Sequence, residues 1–251
     1  MMRSKRTVFG AFDQGQIPDI AVFNQAKTPL GLNLDALVAA LQKFVTDYVV
    51  PVWGTPARLV KTTDFKKGAW GVVFLDTADQ ANALAYHDLT PDGFPLSKVF
   101  VKTIAEGKAS LSVATSHELV EMLVDPAINM LTTGPDTKAA YAYEAADPVE
   151  DDSLAFSVNG FKMTDFIYPS YFEIFRKPGS TKFDYRGKVG RPFQVLSGGY
   201  QIVFKNGKWS QVTASAVKSR ALKGEDRRQH RSEIRPKRTR KRSARSHRGR
   251  R

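Results

Sequence analysis

The stretch His117-Glu118-Leu119-Val120-Glu121 carries side chains that bind metal ions and move protons. On a helix, residues i and i+4 lie on one face with β-carbons about 5–6 Å apart, so His117 and Glu121 can reach one ion. Glu118 is rotated about 100° from His117 and can address a water beside that ion. A divalent ion lowers the pKa of such a water, and a neighbouring carboxylate can take its proton as the water attacks a carbonyl. The spacing predicts His117 and Glu121 as metal ligands and Glu118 as a catalytic general base.

The motif lies in a stretch whose composition predicts a largely buried helix. Seven of the thirteen residues in Ser112–Val124 are apolar, and Asp125-Pro126 ends the helix. Burying three ionisable side chains without compensation is costly, and a metal is one candidate for that compensation. A second interpretation stays open, because Thr115 and Glu118 fit a T-x-x-E capping box that would shorten the helix.

The elements around this helix predict an α+β fold. The three- and four-residue spacing of apolar residues in Leu34–Val50 predicts an amphipathic helix, capped by Asn33 or Asp35 and stopped before Pro51. Short β-branched or aromatic runs bounded by Gly, Pro and Asp predict strands. These strands are Ala57–Lys61, Ala69–Leu75, Ala83–His87, Val99–Thr103, Ala155–Val158 and Phe161–Thr164. Asn206-Gly207 predicts a hairpin between Gln201–Lys205 and Lys208–Val212, and a further helix is possible at Ala214–Ile234.

The order helix, small mixed sheet, buried H-E-x-x-E helix over residues 30–130 resembles the N-terminal half of zincin metallopeptidases. In zincins, the edge strand of the sheet holds the substrate backbone and the following helix carries metal ligands. The stretches SHELVEMLVDPAIN, YAYEAADPVEDD and RPFQVLSGGYQIVFKNGKWSQV, with the strand pair near FKMTDFIYPSYF, resemble proteins of unassigned activity from tailed bacteriophages and prophages. The chain departs from the zincin pattern at Glu121, where the usual second ligand is His.

The resemblance also implies a third ligand, which some zincins take as a Glu from a later helix. The acidic segment 141–152 can supply it from Glu144, Asp147 or Glu150. Asp147-Pro148 is typical of a helix start, with Glu150 near the first turn, so Asp147 and Glu150 already have a structural role there. Glu144 is therefore the predicted third ligand. Asp147 can instead hydrogen-bond His117 and orient it. We interpret His87 as a surface residue at a strand end, with an edge-strand place beside the site as the alternative.

A ligand set of one His and two carboxylates predicts one divalent ion. Zinc is the first expectation, and the hard oxygen donors make Mn²⁺, Mg²⁺ and Ca²⁺ real competitors. The chain has no cysteine, which excludes disulfides, thiolate nucleophiles and Cys-based metal sites. The N-terminus lacks the apolar run of a signal peptide and no stretch approaches a membrane span, so we expect a protein that is neither secreted by that route nor membrane-bound.

The net charge of +13 lies at one end of the chain. Residues 218–251 contain 16 Lys or Arg and three acids, whereas the remaining residues contain 22 of each sign. We therefore divide the chain into a flexible arm (1–17), a zincin-like globular domain (18–217) and a polybasic tail (218–251). The low complexity of the tail predicts that it is disordered. Because the tail contains no aromatic residue to stack on bases, its nucleic-acid contacts would be electrostatic and non-specific. The predicted contacts are Arg235, Lys237, Arg238, Arg240, Lys241, Arg242, Arg245, Arg248, Arg250 and Arg251.

Two functional hypotheses follow. The first is a metal-dependent hydrolase of phage or prophage origin, a zincin-like peptidase acting on protein or peptide and localised by its basic tail. The alternative is a non-catalytic virion or nucleoid-associated structural protein that binds nucleic acid through the tail and contacts virion proteins. In either case we expect the protein in the host cytoplasm or packaged in a virion.

Overall fold

A computed structural model describes residues 17–78 and 83–214 of the chain and shows a mixed α/β architecture. A five-stranded sheet has the strand order β2-β1-β3-β5-β4. Its strands are β1 (Asp19–Asn24), β2 (Arg58–Lys61), β3 (Trp70–Leu75), β4 (Ala85–Leu89) and β5 (Pro95–Phe100). All neighbouring pairs are parallel except β4 with β5, which is antiparallel, so β4 forms an antiparallel edge of the sheet.

Two long helices pack on one face of this sheet. Ile20 and Val22 of β1 point into the main core with the buried side chains of helices α1 (Leu34–Phe44) and α4 (Leu111–Val124). The alternate residues of β1 point to the other face, into a smaller apolar cluster. The main core therefore lies between the sheet and the motif helix, and residues of β4 and β5 that face this core lie against α4.

The first helical segment starts as predicted, but it continues beyond α1 and ends later than predicted. The side chain of Asn33 caps it by accepting from the Ala36 amide, which selects Asn33 over Asp35. The prediction that the helix stops before Pro51 is wrong, because a π-helical turn at Val45–Val49 leads into α2 (Val50–Trp53). The π-helical turn changes the hydrogen-bonding pattern just before Pro51, which lacks an N–H donor and would crowd the preceding turn of a regular α-helix. The helix finally ends at Gly54, whose φ of 68° suits glycine.

The strand predicted at Val99–Thr103 is correct only in its first two residues. Strand β5 begins at Pro95 and ends at Phe100, and helix α3 (Val101–Glu106) follows directly. The segment Val101–Ile104 buries Val101 and Ile104 at helical spacing, and this packing outweighs the β propensity of the run.

The second half of the chain forms two further small sheets. One has the order β11-β10-β7-β6, and the other is a β8–β9 hairpin. The strands are β6 (Leu131–Thr133), β7 (Ala139–Ala142), β8 (Phe156–Val158), β9 (Phe161–Met163), β10 (Tyr200–Lys205) and β11 (Lys208–Thr213). The predicted hairpin at Asn206-Gly207 is confirmed, and both residues have the positive φ that a tight hairpin turn of this type requires.

Three expectations fall wholly or largely outside the described residues. The arm lies there apart from its last residue, as do the tail 218–251 and nearly all of the possible helix Ala214–Ile234. Among the described residues, no helix combines the length and apolarity needed to cross a membrane.

Candidate metal centre

Helix α4 begins one turn before the motif, which frees Glu118 from any capping role. Ser110 is the N-cap, and its hydroxyl accepts from the Val113 amide. Thr115 lies inside the helix, where its hydroxyl donates to the Leu111 carbonyl. The alternative of a capping box at Thr115 and Glu118 is therefore wrong, and every residue of the helix except Ala114 is buried. His117, Glu118 and Glu121 lie in the core of the molecule.

His117 forms one buried group with Glu121 and Asp147. Nε2 of His117 lies 3.2 Å from Oδ1 of Asp147 and 3.4 Å from Oε1 of Glu121. Each of the three residues offers one donor atom, and all three atoms lie within 4.8 Å of one another. The structure therefore brings the predicted ligands His117 and Glu121 together, with Asp147 as their third partner.

His87 forms a second buried group with Glu118 and Glu121. Its Nδ1 lies 3.2 Å from Oε2 of Glu118 and 3.5 Å from Oε2 of Glu121, while Nε2 lies 3.8 Å from Oε2 of Glu144. The interpretation of His87 as a surface residue is wrong: it is in the middle of β4 and only 1% exposed. Its strand position pairs with Ser97 of β5, on the face that α4 covers.

Glu144 and Asp147 thus occupy different places from those the sequence suggested. Glu144, the predicted third ligand, lies against the far side of the His87 ring, and the described contacts do not group it with His117. Asp147, predicted as an orienting partner, faces the same nitrogen of His117 as Glu121 does. Asp147 is also not a helix cap, because only a 3-10 turn, Asp147–Val149, forms there and no side chain caps it.

Six side chains form what is here called the His–carboxylate cluster: His87, His117, Glu118, Glu121, Glu144 and Asp147. Three connections through backbone groups hold the cluster in place. Oε1 of Glu121 accepts from the amides of Ala146 and Asp147, each at 3.2 Å. The Ala145 carbonyl accepts from the Ile167 amide. The Ser116 hydroxyl accepts from the Thr164 amide, which joins α4 to the segment after β9. The loop after β7 is therefore fixed against the motif helix.

Electrostatics in the cluster favour bound positive charge. Burial by itself lowers the pKa of His87, but Glu118, Glu121 and Glu144 outweigh it and raise that pKa to about 10. Burial likewise opposes protonation of His117, and Glu121 and Asp147 raise its pKa well above the usual value. Burial raises the pKa of Glu121, whereas the two imidazoles lower it, and the net effect holds it well below its usual value. The cluster holds four carboxyl groups and only two imidazoles. A divalent cation brings one more positive charge than the imidazolium proton it would replace, so it would compensate the cluster better.

The donor spacing also fits a small divalent ion. A tetrahedral ion with bonds of about 2.1 Å holds its ligand atoms about 3.4 Å apart. The distances from His117 Nε2 to Asp147 Oδ1 and Glu121 Oε1 are 3.2 and 3.4 Å. One nitrogen and two carboxylate oxygens suit Zn²⁺ and, equally, harder ions such as Mn²⁺.

Comparison with known proteins adds no assignment to this geometry. No protein family model, curated protein or solved structure matches the chain. The interpretation of the cluster therefore depends on its chemistry alone.

Access to the cluster is narrow. The crevice lined by Glu144, Asp147, Tyr171 and Tyr200 has no room for a water molecule in this structure. Next to the lining residue Tyr200, Gly199 lies so close to Pro148 that an added β-carbon would come within 2.5 Å of the Pro148 carbonyl oxygen. A larger groove of about 890 Å³, with the basic side chains of Arg58, Lys66 and Lys67, contains none of the cluster residues.

A second buried acid pair supports the loop behind the cluster. Asp165 and Asp184 are 1% and 0% exposed, and Ile167 forms a β-bridge with Asp184 while its amide donates to Ala145. Oδ1 of Asp165 accepts from the amides of Phe166 and Arg186. Burial, reinforced by the neighbouring Asp184 carboxylate, raises the pKa of Asp165 to about 8.

The raised pKa of Asp165 predicts that the free energy of unfolding depends on pH. Replacing Asp165 by Asn should remove this dependence. The folded state holds the Asp165 proton more tightly than the unfolded chain does, so the stabilisation is full below pH ~4 and is lost as the pH rises through ~8. We expect Asp165→Asn to match the wild type near pH 4 and to exceed it by roughly 5 kcal/mol at pH 9, since each unit of pKa difference is worth about 1.4 kcal/mol. Urea unfolding across this range measures the difference, with the exposed Asp64→Asn as the matched control. Parallel pH profiles for the wild type and Asp165→Asn would contradict it.

Proposed function

We propose that the protein is a metal-dependent hydrolase with a zincin-like arrangement of its motif helix. The observation that carries the proposal is the convergence of His117 Nε2, Glu121 Oε1 and Asp147 Oδ1 at one buried point of α4. These three side chains would hold the ion. A divalent ion there would lower the pKa of a coordinated water and polarise a substrate carbonyl.

Glu118 is the proposed proton acceptor of the reaction. Its carboxylate is one residue along the helix from His117, and its Oε2 lies 3.2 Å from His87 Nδ1. The imidazole of His87 fixes the orientation of that carboxylate, and burial excludes bulk water from both groups. A carboxylate held in this way can take a proton from an attacking water and return it to a leaving amine.

Strand β4 supports a peptide as the substrate class. Among the described residues it is the terminal strand of its sheet and pairs only with β5. Its middle residues Tyr86, His87 and Asp88 are 1–5% exposed, so a peptide would add to this edge only after the groups that cover it move aside. An extended peptide can add to such an edge through main-chain hydrogen bonds. Because His87 lies on β4, a peptide bound there would run beside the His–carboxylate cluster.

The proposal predicts that Glu118→Gln abolishes hydrolysis while an ion stays bound at His117, Glu121 and Asp147. Removing a positioned general base costs roughly 10²–10⁴-fold in rate. The assay is release of fluorescence from a quenched casein by the metal-loaded full chain, alongside the ion content of each protein. The matched control is Glu106→Gln on α3, an exposed glutamate far from the cluster in its contacts. Undiminished hydrolysis in Glu118→Gln would remove Glu118 from the mechanism.

Binding of nucleic acid by the tail is a second proposed function, favoured by the charge partition. Residues 218–251 carry the entire net charge of the chain, and the rest of the sequence is neutral. This function is independent of hydrolysis and would remain if the globular domain were a non-catalytic virion or nucleoid component. Its contacts would go to phosphates, since the tail has no aromatic side chain to stack on bases.

A further inference from the structure

The His–carboxylate cluster contains two sets of donors, and the proposed hydrolase uses only one of them as a metal site. The second set is His87, Glu118 and Glu121, each of which offers one donor atom that lies within 4.8 Å of the other two. From His87 Nδ1 the carboxylate oxygens of Glu118 and Glu121 are 3.2 and 3.5 Å away. These are again the donor separations of a tetrahedral ion with bonds of about 2.1 Å.

Glu121 belongs to both sets through different oxygens. Its Oε1 faces His117 at 3.4 Å and its Oε2 faces His87 at 3.5 Å. A carboxylate that presents one oxygen to each of two donor groups has the geometry of a bridging ligand. Two-metal hydrolytic sites hold their ions about 3.5–4 Å apart, a spacing that one bridging carboxylate can span.

His87 is buried with carboxylates facing both of its ring nitrogens. The residue is 1% exposed, and its Nε2 makes no hydrogen bond within the described part of the chain. The carboxylate of Glu144 lies 3.8 Å from that Nε2, on the opposite side of the ring from Glu118 and Glu121. Metal-ligating histidines characteristically direct their other nitrogen at a carboxylate, which fixes the tautomer and the ring. Glu144 is placed to do this when Nδ1 binds an ion.

The charges of the cluster agree with two ions. Four carboxylates and two neutral imidazoles are formally balanced by two divalent cations, whereas one cation leaves an excess of buried negative charge. Buried charges in proteins are compensated by partners or by metal ions.

We infer that His87, Glu118 and Glu121 form a second divalent-cation site, joined to the first through Glu121. This inference rests on the proposed function, because the first ion at His117, Glu121 and Asp147 supplies the other half of the bridge. When the second ion is bound, Glu118 is a ligand and cannot accept a proton. Filling of the second site therefore lowers hydrolysis, and the one-ion form is the active form.

The test is titration of the metal-free full chain with Mn²⁺, with bound ion counted by elemental analysis and its environment read by electron paramagnetic resonance. We expect two equivalents in the wild type and a spectrum of two spin-coupled ions, because carboxylate-bridged Mn²⁺ ions interact magnetically. His87→Asn and Asp147→Asn should each retain one equivalent with the spectrum of an isolated ion. Ser97→Ala, at the position that pairs with His87 in the sheet, is the matched control and should retain both ions.

Each other result decides against the inference. One equivalent in the wild type, or two uncoupled ions, would overturn the second site and leave the proposed hydrolase standing. Two equivalents retained in His87→Asn would also overturn it, since the second ion would then lie elsewhere. No bound Mn²⁺ in the wild type would overturn the second site, and no bound Zn²⁺ in the same titration would overturn the metal-dependent hydrolase as well. If His87→Asn failed to fold, the count and the spectrum of the wild type would still decide.

Discussion

Replacing Glu121 by Gln is expected to abolish the stabilisation that divalent ions give to the full chain. Glu121 contacts both histidines of the cluster, and its neutral amide cannot balance a cation in the buried site. A ligand that binds only the folded state stabilises it by about 2.7 kcal/mol at 100 times its Kd. We expect a shift of this order for the wild type when Zn²⁺ or Mn²⁺ is added to the metal-free protein, and none for Glu121→Gln. Thermal unfolding with and without the ion measures both shifts.

The variant should also be less stable than the wild type without any metal. Its two histidines lose the carboxylate that favours their protonated forms, and breaking a buried ion pair costs about 3–5 kcal/mol. Glu106→Gln is again the control for the chemical change itself, since Glu106 is exposed and pairs only loosely with Lys102 at 3.9 Å. An equal metal-induced shift in Glu121→Gln would place the ion outside the His–carboxylate cluster.

Ending the chain at Val217 is expected to abolish its retention on DNA or RNA at low salt. The truncation removes 16 Lys or Arg residues and leaves a neutral remainder. If about six phosphates are contacted, the affinity of the full chain should fall roughly 10³-fold between 50 and 200 mM salt. Retention on immobilised double-stranded DNA over a salt series measures both effects.

The matched control for the truncation is a full-length chain in which residues 218–251 are present in a shuffled order. Because electrostatic contacts to phosphates do not depend on sequence, the shuffled tail should bind as tightly as the natural one. Undiminished binding by the truncated chain would assign any nucleic-acid affinity to the globular domain instead. A loss of binding on shuffling would show that the tail reads a specific partner.

Local signals in the sequence predicted most of the elements that position the cluster. Apolar spacing located α1 and α4, and Asn206-Gly207 located the β10–β11 hairpin. Strand β1 was missed because its four consecutive buried residues show no alternation, as is usual for a parallel strand covered on both faces. The end of α1 was misplaced because a π-helical turn before Pro51 cannot be seen in a residue pattern.

The cluster itself was only partly predictable, since its members come from distant parts of the chain. The i, i+4 spacing of His117 and Glu121 is a local signal, and it named two residues that the structure brings together. The roles of Glu144 and Asp147 depend on the path of the loop after β7, which is fixed by long-range bonds such as that from Ile167 to Ala145. The burial of His87 depends on the register of β4 with β5, which no local pattern sets. Two features of the sequence could have pointed to His87. It lies in a predicted strand, and it is the one histidine besides His117 that precedes the tail.

The measurement that tests the metal site most directly is elemental analysis of the purified full chain after exchange into metal-free buffer, beside Glu121→Gln. The metal centre predicts at least one equivalent of a divalent ion in the wild type and little in the variant, because structural and catalytic sites of this kind retain their ion. The ion found in the wild type would then be the one with which the protein is loaded for every assay above. A wild type without bound metal, and without stabilisation by added Zn²⁺, Mn²⁺ or Ca²⁺, would contradict the metal centre and leave the basic tail as the main functional element.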